Sequence, residues 1–315
     1  MQNKENKYLF EEIIALSTEQ INENTKKIDE VSTLEILTLI NNEDKNVPLV
    51  VESELEHIAQ AVGIIVDSIK KGGRLIYIGA GTSGRLGVVD ASECPPTFGA
   101  PHGLIIGLIA GGPAAMFAAQ EGAEDNPFYA KKDLQMLNIS ERDVICGIAA
   151  SGRTPYVVAG VNFAKSKGCK TLMISTSERE QVLTKGINAD VFICPHVGPE
   201  PITGSTRMKS GTAQKLVLNM LTTAAFVQLG KTYGNVMVDL QQTNAKLKER
   251  SKNIIMQICE VDYERATDLL QKSGSHVKTA LIMGLANCDK DSAQTLLANS
   301  DGKIKTALKE IEISG

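Results

Sequence analysis

Five short apolar runs, separated by segments of helical composition, constrain the fold of this chain most strongly. They are "RLIYIGA", "GLIIGLIAGG", "DVICGIAAS", "KTLMISTS" and "ADVFICPHVG". Apolar runs without alternation are typical of strands buried on both faces of a parallel sheet. The intervening segments, among them "PAAMFAAQEGAED", "TPYVVAGVNFAKSKG" and "EREQVLTKG", are expected to be helices. The pattern predicts an α/β fold, a doubly wound parallel sheet flanked by helices.

The sheet region is expected to occupy residues 51–238, opening with one long amphipathic helix that Gly72 and Gly73 close. An N-terminal helical segment, residues 1–50, precedes it. In that segment Ser32 is a candidate N-cap and Glu35 its partner in a capping box.

Residues 239–315 are expected to form a small helical C-terminal domain. Ala266–Leu281 and Ala293–Leu308 align without gaps, and each copy reads as a helix, a Ser/Gly turn and the start of another helix. Two such units can pack as a small bundle. A helical packing appendage is the favoured interpretation, and a lid over the site is the alternative.

Composition excludes several classes of function. The chain has 315 residues and a net charge of −4, and its Lys and Arg residues are scattered. We therefore expect no nucleic-acid partner and no membrane partner. The six cysteines form no C-x-x-C pair and the four histidines are isolated, so no metal site is predicted. The charged N-terminus lacks an apolar signal core, which predicts a cytoplasmic protein.

Gly79, Gly81 and Gly84 satisfy the G-x-G-x-x-G pattern of dinucleotide-binding loops. That fold also needs an acidic residue at the end of the second strand. Here the second strand ends in glycines and Pro113, and Pro95 and Pro96 are expected to end the helix early. No Gly-Lys-Ser/Thr follows, so a P-loop is excluded too, and no cofactor is predicted.

Hydroxyl side chains at two predicted helix starts indicate a phosphate site instead. Backbone N–H groups and the helix dipole favour an anion at such positions. Either loop alone could be an ordinary capped helix, but two of them at neighbouring strand ends favour phosphate binding. The candidate residues are Gly81, Thr82, Ser83, Ser151, Gly152, Arg153 and Thr154.

Three longer blocks carry a family resemblance: "IGAGTSGRLGVVDASECPPTFG", "EGAEDN" and "GSTRMKSGTAQKLVLNM". They resemble the N-acetylmuramic acid 6-phosphate etherase family of the sugar isomerase (SIS) fold, over nearly the whole chain. The glucokinase regulatory protein shares the glycine block. The resemblance implies a homodimeric lyase that needs neither metal nor nucleotide. It would split the D-lactyl ether of a phosphorylated amino sugar from the cell wall.

The resemblance also implies site residues. Glu93 would be the acid that protonates departing lactate, and Glu124 the base at carbon 2. Without it, Glu93 could pair with Arg85 and Glu124 could be an exposed acid at a helix end.

The third block adds candidate ligand contacts, Ser205, Thr206 and Lys209, directed to the sugar phosphate or to the lactyl carboxylate. The alternative is that Lys209 faces solvent and that the hydroxyls only cap a helix.

Two other functions remain open on this fold. One is a sugar-phosphate isomerase, in which a single carboxylate moves a proton and no ether is cut. The other is a non-catalytic sugar-phosphate sensor that regulates a partner protein. An etherase needs both glutamates, whereas a sensor needs neither.

Overall fold

The computed structural model describes Ile14, residues 16–239 and residues 245–314. The predicted helical content of residues 1–13 lies outside the described residues. The chain divides into two compact units. The first takes its described residues from Met1–Ser92 and Gly103–Leu221, the second from Glu93–His102 and Thr222–Gly315.

A five-stranded parallel sheet is the centre of the first unit, which confirms the predicted fold class. The strands are β1 Leu75–Gly79, β2 Ile105–Ile109, β3 Val144–Ile148, β4 Lys170–Ile174 and β5 Val191–Ile193. Their order in the sheet is β2-β1-β3-β4-β5.

The strand order places a switch point between β1 and β3. Gly79, the last residue of β1, pairs with Ile109 of β2 on one side and with Ile148 of β3 on the other. The loops after β1 and β3 therefore leave the same edge of the sheet side by side. In open parallel sheets this is where ligands bind.

Helices cover the sheet, and of those in the described residues three precede β1 and five follow it up to Gln228. They are α1 Thr33–Asp44, α2 Val47–Glu52, α3 Leu55–Lys70, α4 Gly81–Phe98, α5 Pro127–Met136, α6 Pro155–Ser166, α7 Arg179–Leu183 and α8 Lys209–Gln228. Four 3-10 turns accompany them, at Ser17–Glu19, Glu23–Thr25, Ile28–Glu30 and Pro113–Met116. The predicted capping box is confirmed, because Ser32 and Glu35 bond each other's backbone at the start of α1.

Strand alternation distributes the apolar side chains of β1 to two faces. Ile76 and Ile78 are fully buried in a cluster with Leu134 of α5 and Val157 of α6. Tyr77 points the other way, and a methyl group added to Gly87 of α4 would lie 2.9 Å from its Cβ. Both faces are thus covered, as the continuous apolar runs predict.

The prediction that Pro95 and Pro96 end the helix early was wrong. Helix α4 runs through both prolines to Phe98. They lie in its last turn, where each forfeits only one N–H bond to the preceding turn. The helix ends at Gly99, which adopts a φ of +60° and donates its N–H to the carbonyl of Pro95 at 3.0 Å.

The predicted helix over "PAAMFAAQEGAED" was also wrong. Only Pro113–Met116 forms a short 3-10 turn, and Gly122 adopts a φ of +72° before α5 begins at Pro127. The remainder of the segment is a loop. It carries Glu121 and Glu124 along the sheet edge.

The second unit is built mainly of helices around its own apolar core. Val277, Leu281 and Ala293 are among its buried side chains. The helices are α9 Ala245–Cys259, α10 Tyr263–Lys272, α11 Val277–Ala286, α12 Lys290–Asn299 and α13 Ile304–Ser314, with a hairpin of β6 Thr232–Tyr233 and β7 Val236–Met237. Helices α10 and α11 form the first of the two predicted helix–turn–helix copies, and α12 and α13 form the second.

None of the helices in the described part of the chain is both long and apolar enough to cross a membrane.

Candidate active site

The glycines after β1 serve close packing of helix on strand. A methyl group on Gly84 would lie 2.7 Å from the carbonyl oxygen of Gly79, and Gly81 adopts a φ of +51°. These contacts bring the first turn of α4 against the end of β1. The glycine pattern therefore has a packing cause that needs no dinucleotide.

The hydroxyls of this loop differ in their surroundings. Thr82 is half-buried and lines the cleft described below. Ser83 is buried and its Oγ donates to Oε1 of Gln214 on α8 at 2.9 Å. Ser83 is thus held in place by α8, a partner that its sequence position does not indicate.

The second loop follows β3 and is fixed by β4. The carbonyl of Ala150 accepts hydrogen bonds from Ser175 Oγ and from the N–H of Thr176, both at 2.9 Å. Gly152 adopts a φ of +68°, and Thr154 precedes the first residue of α6. The buried hydroxyls of Ser175–Ser177 were missed by sequence reasoning. Their signal was the run "STS" at the end of the predicted strand "KTLMISTS", of which only Lys170–Ile174 forms the strand.

The two loops meet in one cleft of about 500 Å³ at the switch point. Its lining includes seven of the predicted phosphate or sugar contacts and Glu124. These are Gly81, Thr82, Ser83, Ser151, Arg153, Thr154, Thr206 and Glu124.

Glu124 lines this cleft and is exposed at its surface. Partial loss of hydration raises the pKa of Glu124 above the usual value, and the negative charges of Asp125 and Glu121 raise it further. The backbone carbonyl of Glu124 accepts the N–H of Tyr156 in the first turn of α6 at 3.0 Å. A carboxyl group with a raised pKa is a stronger base once ionised, which suits proton abstraction.

Glu93 lies on α4, at the start of the second unit, and its side chain is exposed. Arg85, its alternative partner in the sequence, donates Nε to the carbonyl of Met116 at 3.2 Å.

Lys209 departs from both roles that the sequence suggests. It is 3% exposed, and its Nζ lies 2.6 Å from Oε2 of Glu43. Lys209 therefore does not face solvent, and it is not among the residues that line the cleft. Burial raises the pKa of Glu43, but the bonds from Lys209, Asn24 and Asn22 outweigh burial and hold it below its usual value.

The start of α8 is capped by a carboxylate. Glu200, which is fully buried, accepts the N–H groups of Lys209 and Ser210 at 2.8 and 2.9 Å. The alternative interpretation, in which the hydroxyls of Ser205 and Thr206 only cap this helix, is therefore not needed, and Thr206 lines the cleft. Ser205 is half-buried and donates its N–H to the carbonyl of Ile202.

An N-terminal segment also reaches the cleft, which sequence reasoning missed. Leu16, Thr18 and Glu19 belong to its lining. The carbonyl of Thr18 accepts the N–H of Gly204 at 3.0 Å, and Thr25 Oγ1 donates to the carbonyl of Pro201 at 2.8 Å. Because these contacts join segments far apart in the chain, periodicity gives no signal for them.

Residues 57–165 match the family model of the glucokinase regulatory protein N-terminal SIS domain. Among solved structures, a phosphoheptose isomerase from Francisella tularensis has a TM-score of 0.46 and 15% identity, covering 61% of this chain and 100% of that one. A phosphoheptose isomerase from Neisseria gonorrhoeae has a TM-score of 0.45 and 17% identity, covering 62% and 98%.

Curated relatives match over most of their length. The N-acetylmuramic acid 6-phosphate etherase of Salinibacter ruber is 55% identical over 280 residues, which is 89% of each chain. The etherase of Clostridium beijerinckii is 52% identical over 297 residues, covering 94% of this chain and 97% of that protein. The etherase of Pasteurella multocida is 52% identical, covering 87% and 90%. This chain belongs to the N-acetylmuramic acid 6-phosphate etherase family.

Proposed function

We propose that this chain cleaves the D-lactyl ether of N-acetylmuramic acid 6-phosphate, giving N-acetylglucosamine 6-phosphate and D-lactate. It is a carbon–oxygen lyase that acts in the catabolism and recycling of cell-wall amino sugars. The observation that supports this most is the cleft at the switch point, where Glu124 stands beside two hydroxyl-bearing loops.

The reaction begins at carbon 2 of the opened sugar. The aldehyde acidifies the carbon 2 proton, and the lactyl ether on carbon 3 is the leaving group β to that aldehyde. Glu124 takes the proton as general base, and the enolate then expels lactate. Water adds to the unsaturated aldehyde to give the product. Each proton transfer of this kind accelerates a reaction by about 10²- to 10⁴-fold.

Departure of lactate needs an acid on the ether oxygen, and we assign this role to Glu93. Two carboxyl groups serve opposite roles when their surroundings favour opposite protonation states. The assignment rests on the family motif, in which this glutamate precedes Cys94-Pro95-Pro96.

The phosphate is held by the loops after β1 and β3. Thr82, Ser151 and Thr154 offer hydroxyls at the starts of α4 and α6, where backbone N–H groups without a partner in the helix favour an anion. Ser83, Gly152 and Arg153 of the same loops complete the proposed phosphate site, and Ser205 and Thr206 remain proposed contacts to the sugar phosphate or to the lactyl carboxylate. Lys209 is withdrawn from this set, because Glu43 already binds its ammonium group.

We further propose that the enzyme works in the cytoplasm and that, as the family resemblance implies, it is a homodimer.

The test is incubation of the purified protein with N-acetylmuramic acid 6-phosphate and enzymatic assay of D-lactate. The expected result is one D-lactate for each N-acetylglucosamine 6-phosphate formed. A folded protein that releases no D-lactate would overturn the proposal, and a rearranged sugar without D-lactate would establish an isomerase instead.

A further inference from the structure

A second, smaller cavity lies next to the cleft and has a volume of about 140 Å³. We name it the side pocket. Ala80, Gly81 and Glu124 line both cavities, so Glu124 stands at their junction. The remaining wall residues that matter are Arg85, Glu121 and the small side chains Ala110 and Ala115.

Arg85 is the cation of this pocket, and no other Lys or Arg is among its described lining residues. Its Nε donates to the neutral carbonyl of Met116, which fixes the plane of the guanidinium. Within the described residues, no ion pair joins Arg85 to Glu121 or Glu124. A guanidinium stays charged at all physiological pH values, so it offers its terminal N–H groups to an anion.

We infer that the side pocket binds the D-lactyl group of the substrate, with Arg85 holding its carboxylate. This inference rests on the proposed function. The lactyl group hangs from carbon 3, directly beside the carbon 2 that Glu124 deprotonates. A sugar whose phosphate lies at the two loops of the cleft can therefore extend its lactyl group past Glu124 into the side pocket.

Size and charge agree with this occupant. The side pocket has a volume of about 140 Å³, well above the roughly 10 to 15 Å³ that one water molecule needs. It therefore has room for a small group such as the lactyl group, which has five non-hydrogen atoms beyond the ether oxygen. The alanine side chains suit its methyl group. Its carboxylate would be repelled by Glu121 and Glu124 without a cation, and a planar guanidinium binds a carboxylate through two parallel bonds.

The experiment compares two substrates and two proteins. The substrates are N-acetylmuramic acid 6-phosphate and its lactyl methyl ester, which lacks the negative charge. The proteins are the wild type and Arg85→Gln. Wild-type kcat/KM should fall roughly 10- to 150-fold on going to the ester, the range for a hydrogen bond to a charged group. With N-acetylmuramic acid 6-phosphate, the kcat/KM of Arg85→Gln should be lower than that of the wild type by a similar factor. With the methyl ester, the kcat/KM values of the two proteins should be nearly the same.

Controls separate binding from structure. Calorimetric Kd values for N-acetylglucosamine 6-phosphate, which lacks the lactyl group, should agree within about threefold between wild type and Arg85→Gln, since independent sites are additive. Arg85→Lys keeps the positive charge, so its kcat/KM with N-acetylmuramic acid 6-phosphate should lie between the values of the wild type and of Arg85→Gln. Arg265→Gln, at an exposed arginine of the second unit, should match the wild type.

Equal losses on acid and ester, or weakened binding of N-acetylglucosamine 6-phosphate in Arg85→Gln, would overturn the inference and leave Arg85 as a support for the Met116 turn. If wild-type protein releases no D-lactate from either substrate, the proposed function fails by itself. The calorimetric Kd of the acid, compared with that of the ester in both proteins, then decides the side pocket separately.

Discussion

The ammonium group of Lys209 lies 2.6 Å from the carboxylate of Glu43, and both side chains are less than a tenth exposed. Asn22 and Asn24 bond the same carboxylate, each at 2.8 Å. The pair joins the start of α8 to α1 and to the N-terminal segment that borders the cleft. A buried pair of this kind is costly to break, because the partner left behind keeps an uncompensated charge.

Lys209→Met should therefore destabilise the protein by about 3 to 5 kcal/mol at pH 7. Urea unfolding measures this loss. Lys165→Met is the matched control, because Lys165 pairs with Asp190 at the surface, with 31% and 21% exposure. It should cost under about 1 kcal/mol. Equal losses in both variants would contradict the assignment of a buried structural pair.

The same pair makes stability depend on pH. The pKa of Glu43 is lowered in the folded protein from its ordinary value of 4.5. The ionised carboxylate of Glu43 therefore contributes fully to the free energy of unfolding above pH 4.5, and this contribution is lost as the pH falls through the lowered pKa. Wild type should lose more stability than the Glu43→Gln variant between pH 5 and pH 3, as measured by urea unfolding. Equal losses of stability in the wild type and in Glu43→Gln would contradict a stabilising role of the ionised Glu43.

Protonation of Glu124 should cause the fall of kcat/KM at low pH, the acid limb of the pH profile. Its pKa is raised by lost hydration and by the charges of Asp125 and Glu121, and a base works only when ionised. The acid limb of kcat/KM should lie above pH 4.5. Asp125→Asn removes one like charge, so the limb should move to lower pH. A limb that stays in place or moves upward would show that another group controls it.

Gly84 should tolerate no side chain. A Cβ there would lie 2.7 Å from both the carbonyl oxygen of Gly79 and Cγ1 of Ile109. Gly84→Ala should destabilise the protein by roughly 1 to 3 kcal/mol and raise KM, because the phosphate loop shifts.

Gly63→Ala is the control, since Gly63 lies within α3 with no atom within 4 Å of its added methyl group. It should stabilise the protein by about 0.5 to 1 kcal/mol. Thermal unfolding of both variants measures the contrast, and a stable, active Gly84→Ala would contradict the close-packing argument.

The sheet and its ligand edge could be predicted from the sequence because local patterns determine them. Apolar runs without alternation indicate strands of a parallel sheet, and "GTSG" and "SGRT" each follow such a run. The strand order then brings both loops to one cleft. The capping box at Ser32 is equally local, since its partners are three residues apart.

Other features depend on tertiary contacts that single-segment patterns do not encode. Lys209 is buried because Glu43 reaches it across 166 residues, and Ser83 is fixed by Gln214 across 131. The loop carrying Glu124 has the composition of a helix, but Gly122 with its positive φ and the contact of Glu124 with Tyr156 favour a loop. The division of the chain into residues 1–50, 51–238 and 239–315 stays a prediction. Limited proteolysis tests it, since cleavage is expected near these boundaries.

The central claim is that Glu124 abstracts the carbon 2 proton, and the most direct measurement is deuterium incorporation at carbon 2 of the N-acetylmuramic acid 6-phosphate and the N-acetylglucosamine 6-phosphate recovered after incubation in D₂O. Proton NMR should show incorporation with the wild type. Glu124→Gln should abolish this exchange, while Glu93→Gln should release little D-lactate and retain some exchange. Exchange that survives in Glu124→Gln and disappears in Glu93→Gln would contradict the account and reverse the two roles.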